Sequence, residues 1–156
     1  MVDFTKPARQ VNRVFIHCSA NSNPRWGIQE LEILHIQRGF GEIGYHYFLD
    51  RAGQVLTGRS LEKHPVAQAG HNANTIAICV HGGFKNVNDF LPVQLKKLKE
   101  LCEAINKAYN GNITFHGHCE VSTKPCPVFD YKKVLSLDEN GKIVIEYGQC
   151  KSEFTN

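Results

Sequence analysis

Two short apolar runs constrain this chain most: Val14-Phe15-Ile16-His17-Cys18-Ser19 and Thr75-Ile76-Ala77-Ile78-Cys79-Val80. Each has the length of a strand, and neither alternates cleanly between polar and apolar, as expected of strands buried on both faces. Gly82-Gly83 closes the second. Helical patterns separate and follow them. Residues 28–38 place Ile28, Leu31, Leu34 and His35 on one face, and Gly39 and Gly41 end that stretch. Pro92 opens the clearest helix, the first helical position being where proline fits. Leu95, Leu98, Leu101, Cys102, Ile105 and Tyr109 form its stripe, and Asn110-Gly111 ends it. Residues 45–49 read as a strand, Asp50-Arg51-Ala52-Gly53 as a turn, and residues 54–57 as the return. Residues 112–115 form a further strand. Asp138-Glu139-Asn140-Gly141 before Lys142-Ile143-Val144-Ile145 is a hairpin signal. Strands alternating with helices predict an α/β (α+β) chain: a single domain with a central mixed β-sheet flanked by helices.

At 156 residues the chain is long enough for one domain with a substantial core. No apolar run is long enough to span a bilayer, and the polar residues 1–12 contain no hydrophobic signal core. Synthesis in the cytoplasm without a signal peptide is therefore expected. A net charge of +3 is too mild to indicate nucleic acid binding. The six cysteines, without an export signal, argue for free thiols rather than a disulfide framework. Cys79 and Cys102 read as small buried hydrophobes.

The chemistry concentrates in His118-Cys119-Glu120-Val121-Ser122-Thr123-Lys124-Pro125-Cys126-Pro127. An imidazole, an ammonium and a thiol lie within nine residues there. Far upstream, His17 lies at the end of its apolar strand. A His, His, Cys set without a fourth protein ligand suits a catalytic zinc, which takes nitrogen and sulfur ligands tetrahedrally and keeps one position for water. From the residues alone, His116 rivals His118, and Cys18 and Cys119 rival Cys126. Lys124 reads as a solvated surface charge or, beside a metal, as a cation that stabilises an oxyanion. Tyr45 lies in Gly41-Glu42-Ile43-Gly44-Tyr45-His46-Tyr47-Phe48. It reads as core packing or as a phenol that hydrogen-bonds the attacking water, and the glycines favour the second by permitting close backbone approach. Gly70-His71-Asn72-Ala73-Asn74 could shape a cleft rim. Phosphate-binding loops and the His-Glu-x-x-His zinc motif are absent.

These pieces together resemble the zinc-dependent N-acetylmuramoyl-L-alanine amidases, a superfamily that includes amidase-type phage lysozymes and peptidoglycan-recognition proteins. The phage lysozymes look closest. The matching segments are Val14-Phe15-Ile16-His17-Cys18-Ser19-Ala20, Gly44-Tyr45-His46-Tyr47, Gly58-Arg59, Gly70-His71-Asn72 through Ile76, and His118 through Asp130. They occur in the family's order over roughly residues 11–135. The resemblance implies one zinc ion per chain, bound by His17, His118 and Cys126 in a surface groove, and so selects His118 over His116. It places Tyr45 and Lys124 in catalytic roles and His46, His71 and Asn72 along the substrate groove. The implied reaction is hydrolysis of the amide between N-acetylmuramic acid and L-alanine, with peptidoglycan as partner and the cell wall, after release or lysis, as the place of action. A monomer is expected, with no membrane partner.

The resemblance carries departures and alternatives. Ala67 occupies the place where related phage enzymes usually carry a histidine, and Cys119 follows His118 where a second histidine is common. Some superfamily members only bind peptidoglycan, having lost a ligand; here all three are present. Some phage lysozymes also inhibit their phage's RNA polymerase, though nothing in the composition of residues 1–12 signals such a surface. The expected organisation is an N-terminal segment over 1–12, a catalytic domain over 13–135, and a tail over 136–156 with the hairpin.

Overall fold

The computed structural model of the chain describes residues 2–144. Five strands form one mixed sheet: β1 (Arg13–Cys18), β2 (Tyr47–Leu49), β3 (Val55–Thr57), β4 (Thr75–Val80) and β5 (Thr114–Gly117), in the order β3-β2-β4-β1-β5. Only β2 and β3, joined by the tight turn at Asp50, pair antiparallel. The β2–β4, β4–β1 and β1–β5 pairs are parallel. The two apolar runs are thus central parallel neighbours, and every residue of β4 is buried. That is why neither run alternates.

Strand periodicity sorts the side chains onto two faces. Val14, Ile16, Ile76, Ile78, Val80, Tyr47 and Leu49 pack with Leu98, Leu101, Cys102 and Ile105 of helix α2 (Pro92–Ala108) and with Tyr131 and Leu135 of helix α3 (Tyr131–Leu135). On the opposite face Phe48 and Cys79 meet Leu31 of helix α1 (Ile28–Gln37) and Ile43. His17, two residues after Phe15 on β1, belongs to this second face. Pro92 begins α2 as expected, and Gln94 Oε1 accepts the Leu91 N–H at 3.0 Å, tying off its first turn. Asn110 and Gly111, both at positive φ, end it.

Helix α3 carries no sequence signal long enough to read. The expected strand at 45–49 contracts to β2, although the His46 N–H still donates to Ala77 O at 2.9 Å. The hairpin signal gives one bridge, Leu137 to Ile143, and Ile145 lies outside the described residues. Ahead of β1, Arg9 donates to the carbonyls of Leu61 and Thr75 and holds the N-terminal segment against the start of the central strand β4. Among the described residues no helix is long and apolar enough to cross a membrane.

Candidate metal centre

The parallel strands β1 and β5 lie side by side, with Ile16 opposite Gly117. The residue after each of these two is a histidine, His17 on β1 and His118 at the start of a 3-10 turn (His118–Glu120). Both therefore emerge at the carboxyl ends of neighbouring strands, where open α/β sheets place their ligands. Their rings lie 4.5 Å apart between centroids. The loop after the turn returns to β1. Cys126 O accepts the Cys119 N–H at 2.7 Å, and Cys126 Sγ accepts the Cys18 N–H at 3.1 Å. One donor atom from each of His17, His118 and Cys126 lies within 4.8 Å of the others, so this triplet could hold a metal ion.

The rivals stand outside the triplet. His116 sits beside Phe15, one pleat repeat back from the strand ends, and bonds Thr114 and Glu120. Cys119 is exposed. Cys18 is buried next to Cys126 and borders the same groove, but it is not a member of the donor triplet.

Electrostatics favour neutral imidazoles. Burial, reinforced by His118, pushes the pKa of His17 down to about 3. Burial and Lys124 likewise lower His118. The adjoining Cys18 thiol, together with burial, pushes the Cys126 thiol up.

His118 and Cys126 border a groove of about 620 Å³ lined also by Tyr45, Lys124, Asn72, Ala67, His35 and Arg38, while His17 is buried behind them. The Tyr45 ring lies 5.0 Å from His17 and 5.4 Å from His35, over the Leu31–Ile43–Phe48–Cys79 cluster. Burial raises its phenol well above the ordinary value. Gly44 supplies the close approach expected of a glycine beside Tyr45: a Cβ there would collide with Val66 O. Lys124 is exposed at the rim.

The three residues expected along the groove divide. Asn72 lines it, and its Oδ1 accepts the N–H groups of Ala67 and Gln68 at 3.1 and 2.9 Å. His71 is not among the groove-lining residues; its main chain closes the turn through Gln68. His46 is not among the groove-lining residues either: it is buried, its Nδ1 accepting the Ala77 N–H at 3.1 Å and its Nε2 donating to Lys63 O at 2.8 Å. It is a bracket between strands. At the noted departure Ala67 does line the groove, whereas His64 is exposed and accepts the Asn74 N–H.

Sequence reasoning missed Gln68, which is fully buried and bonds His17 at 2.8 Å. A single glutamine in a polar loop carries no pattern to reveal it. The sequence pattern puts His35 only on a helix face; its Nδ1 accepts the Gly44 N–H at 2.8 Å and its ring borders the groove.

Residues 7–129 match the family model described as N-acetylmuramoyl-L-alanine amidase. The endolysin of Enterobacteria phage T3 is 31% identical over 139 residues, 86% of this chain and 91% of that protein. The endolysin of Klebsiella phage KP32 is 30% identical over 143 residues, 88% of this chain and 93% of that one. Among solved structures, the N-acetylmuramoyl-L-alanine amidase LysC from Clostridium intestinale URNW superposes with a TM-score of 0.73 at 25% identity, covering 86% of this chain and 93% of its own. Drosophila PGRP-LB shares the fold, with a TM-score of 0.69 at 20% identity over 93% of this chain and 89% of its own.

Proposed function

Because this chain belongs to the N-acetylmuramoyl-L-alanine amidase family, we propose that it binds one zinc ion through His17, His118 and Cys126 and hydrolyses the amide between N-acetylmuramic acid and L-alanine in peptidoglycan. The observation that carries the reading is the meeting of two neutral nitrogens and one sulfur within 4.8 Å of one another, with His118 and Cys126 bordering a groove and His17 buried beside them. Nitrogen and sulfur donors of this kind suit zinc, and three protein ligands are the number that catalytic zinc sites use. Imidazoles held neutral by burial keep a lone pair free at ordinary pH. A thiol that its surroundings keep protonated ionises readily only when a cation sits beside it. Zinc bound there supplies an activated water and a Lewis acid for the scissile carbonyl.

The chain's own groups do the rest. Tyr45, over His17, orients the attacking water. Lys124, on the loop that delivers Cys126, stabilises the negative charge that develops on the carbonyl oxygen. Asn72, held by two main-chain donors, gives the groove a fixed amide to meet the peptide stem. The endolysin relatives support action on the cell wall.

The test is mass spectrometry of digested peptidoglycan with and without a chelator. Release of stem peptides with a free L-alanine amino group, lost on chelation and restored by zinc, is the expected result. Cleavage elsewhere, or undiminished cleavage in chelator, would overturn the reading. Binding to peptidoglycan without release of stems would make the chain a recognition domain.

A further inference from the structure

Gln68 has no part in the chemistry above, yet it is the buried polar side chain that touches it. Its amide nitrogen donates to His71 O at 3.2 Å and to Thr75 Oγ1 at 2.9 Å. The Thr75 hydroxyl proton is already committed to Asn72 O, so Oγ1 has a lone pair to receive it. A main-chain carbonyl only accepts, so the amide can face only one way. Its nitrogen looks into the 71–75 turn, and Oε1 looks at His17 Nε2, 2.8 Å away. Oε1 also only accepts. His17 Nε2 must therefore carry the ring proton, and a neutral imidazole protonated there has its lone pair on Nδ1.

We propose that Gln68 is a positioning residue of the metal centre: it holds His17 as the Nε2–H tautomer, so that Nδ1 is the nitrogen presented to His118 and Cys126. The proposal rests on the zinc reading above. Outer partners of this kind orient a ligand and raise its basicity, and their loss typically weakens metal binding ~10–100-fold. Most such partners are carboxylates or main-chain carbonyls. A neutral amide does the same task here without adding charge to a wholly buried ring. Its other end is tied to the turn that carries Asn72, so one side chain sets both the ligand and the groove wall.

Two measurements test this, and only one involves the metal. Long-range proton–nitrogen NMR on metal-free protein reads the tautomer of His17 directly. Wild type is expected to show Nε2–H, and Gln68→Met a mixture of tautomers. A proton on Nδ1 in wild type overturns the proposal whatever the metal does. The second measurement is zinc affinity by chelator competition. Gln68→Met should lose ~10–100-fold, and Gln68→Glu, which keeps an acceptor for Nε2–H, should recover much of the loss. Thr75→Val is the control: it loosens the same turn but leaves Oε1 on His17, so its affinity should stay close to wild type. Equal losses in Gln68→Met and Thr75→Val would make Gln68 a loop brace and overturn the proposal. Wild type that binds no zinc would instead overturn the metal reading, with the tautomer still decided by NMR.

Discussion

Cys126 accepts a main-chain N–H from Cys18, stands beside that residue's thiol, and still belongs to the donor triplet. Cys126→Ser keeps the size of the side chain but replaces a potential thiolate with a poorly ionising hydroxyl. The expected outcome is a folded chain that retains little zinc by elemental analysis. Cys79→Ser and Cys102→Ser act on fully buried packing positions, so they should lower stability while leaving zinc near one per chain. Tyr45→Phe and Lys124→Ala probe the groups around the water. Each should retain zinc and lose about a hundredfold or more in turnover on peptidoglycan. Wild-type turnover in Lys124→Ala would reduce that residue to a solvated charge. The triplet was legible because its members lie in segments with recognisable neighbours. Composition could not separate His116 from His118; the difference lies in register. Opposite Phe15, His116 is held back from the strand ends, while the residue after Gly117 reaches them. His46 is a related case. The resemblance puts it along the groove with Tyr45, but adjacent residues of a strand face opposite ways, and His46 is buried between Ala77 N–H and Lys63 O.

At the scale of elements, the site depends on how closely the segments before β2 and β4 approach α1. Gly44 donates its N–H to His35 on α1 and accepts the Val66 N–H with its carbonyl. A methyl at Gly44 would meet Val66 O, a main-chain atom that cannot rotate aside. Gly44→Ala should therefore displace the Val66–Ala67 wall of the groove and destabilise the fold by about 1–3 kcal/mol, the usual range for overpacking. A urea midpoint unchanged from wild type would show that the strand segments are not locked together there. The elements most legible in sequence were those with one dominant pattern: the two central parallel strands and α2. Helix α3 was missed because five residues span little more than one turn, and its start depends on Asp130 accepting the Lys133 N–H. The buried Gln94 and Asn106 of α2 interrupt the expected apolar stripe. Gln94 shows why such a position tolerates an amide: it donates to His81 O at 2.8 Å and so joins the helix start to the end of β4.

The whole molecule keeps a sheet between two unlike faces, and the face toward α1 contains an unusual share of buried imidazoles. His17, His35 and His46 are all nearly inaccessible. His46 carries the clearest consequence because it lies outside the metal centre. Burial lowers its pKa from 6.5 to about 4, against a smaller opposing effect from its bond to Lys63 O. The unfolded chain therefore takes up a proton near pH 6.5 that the folded chain refuses until about pH 4. A group depressed in this way contributes stability above the unfolded value, and the contribution is lost as pH falls toward the folded one. Within that window His46 alone should make unfolding easier by up to about 1.4 kcal/mol per pH unit. His35, also lowered to about 4 by burial and by Arg38 and Arg59, adds to the same slope. Urea denaturation of metal-free protein from pH 7 to pH 4 should thus show a steady fall in stability. His46→Gln should start less stable at pH 7, having lost the fit between Ala77 N–H and Lys63 O, yet fall less steeply as acid is added. A variant slope equal to that of wild type would mean that His46 takes up its proton in the folded chain as readily as in the unfolded one, and the acid sensitivity would then belong to other groups.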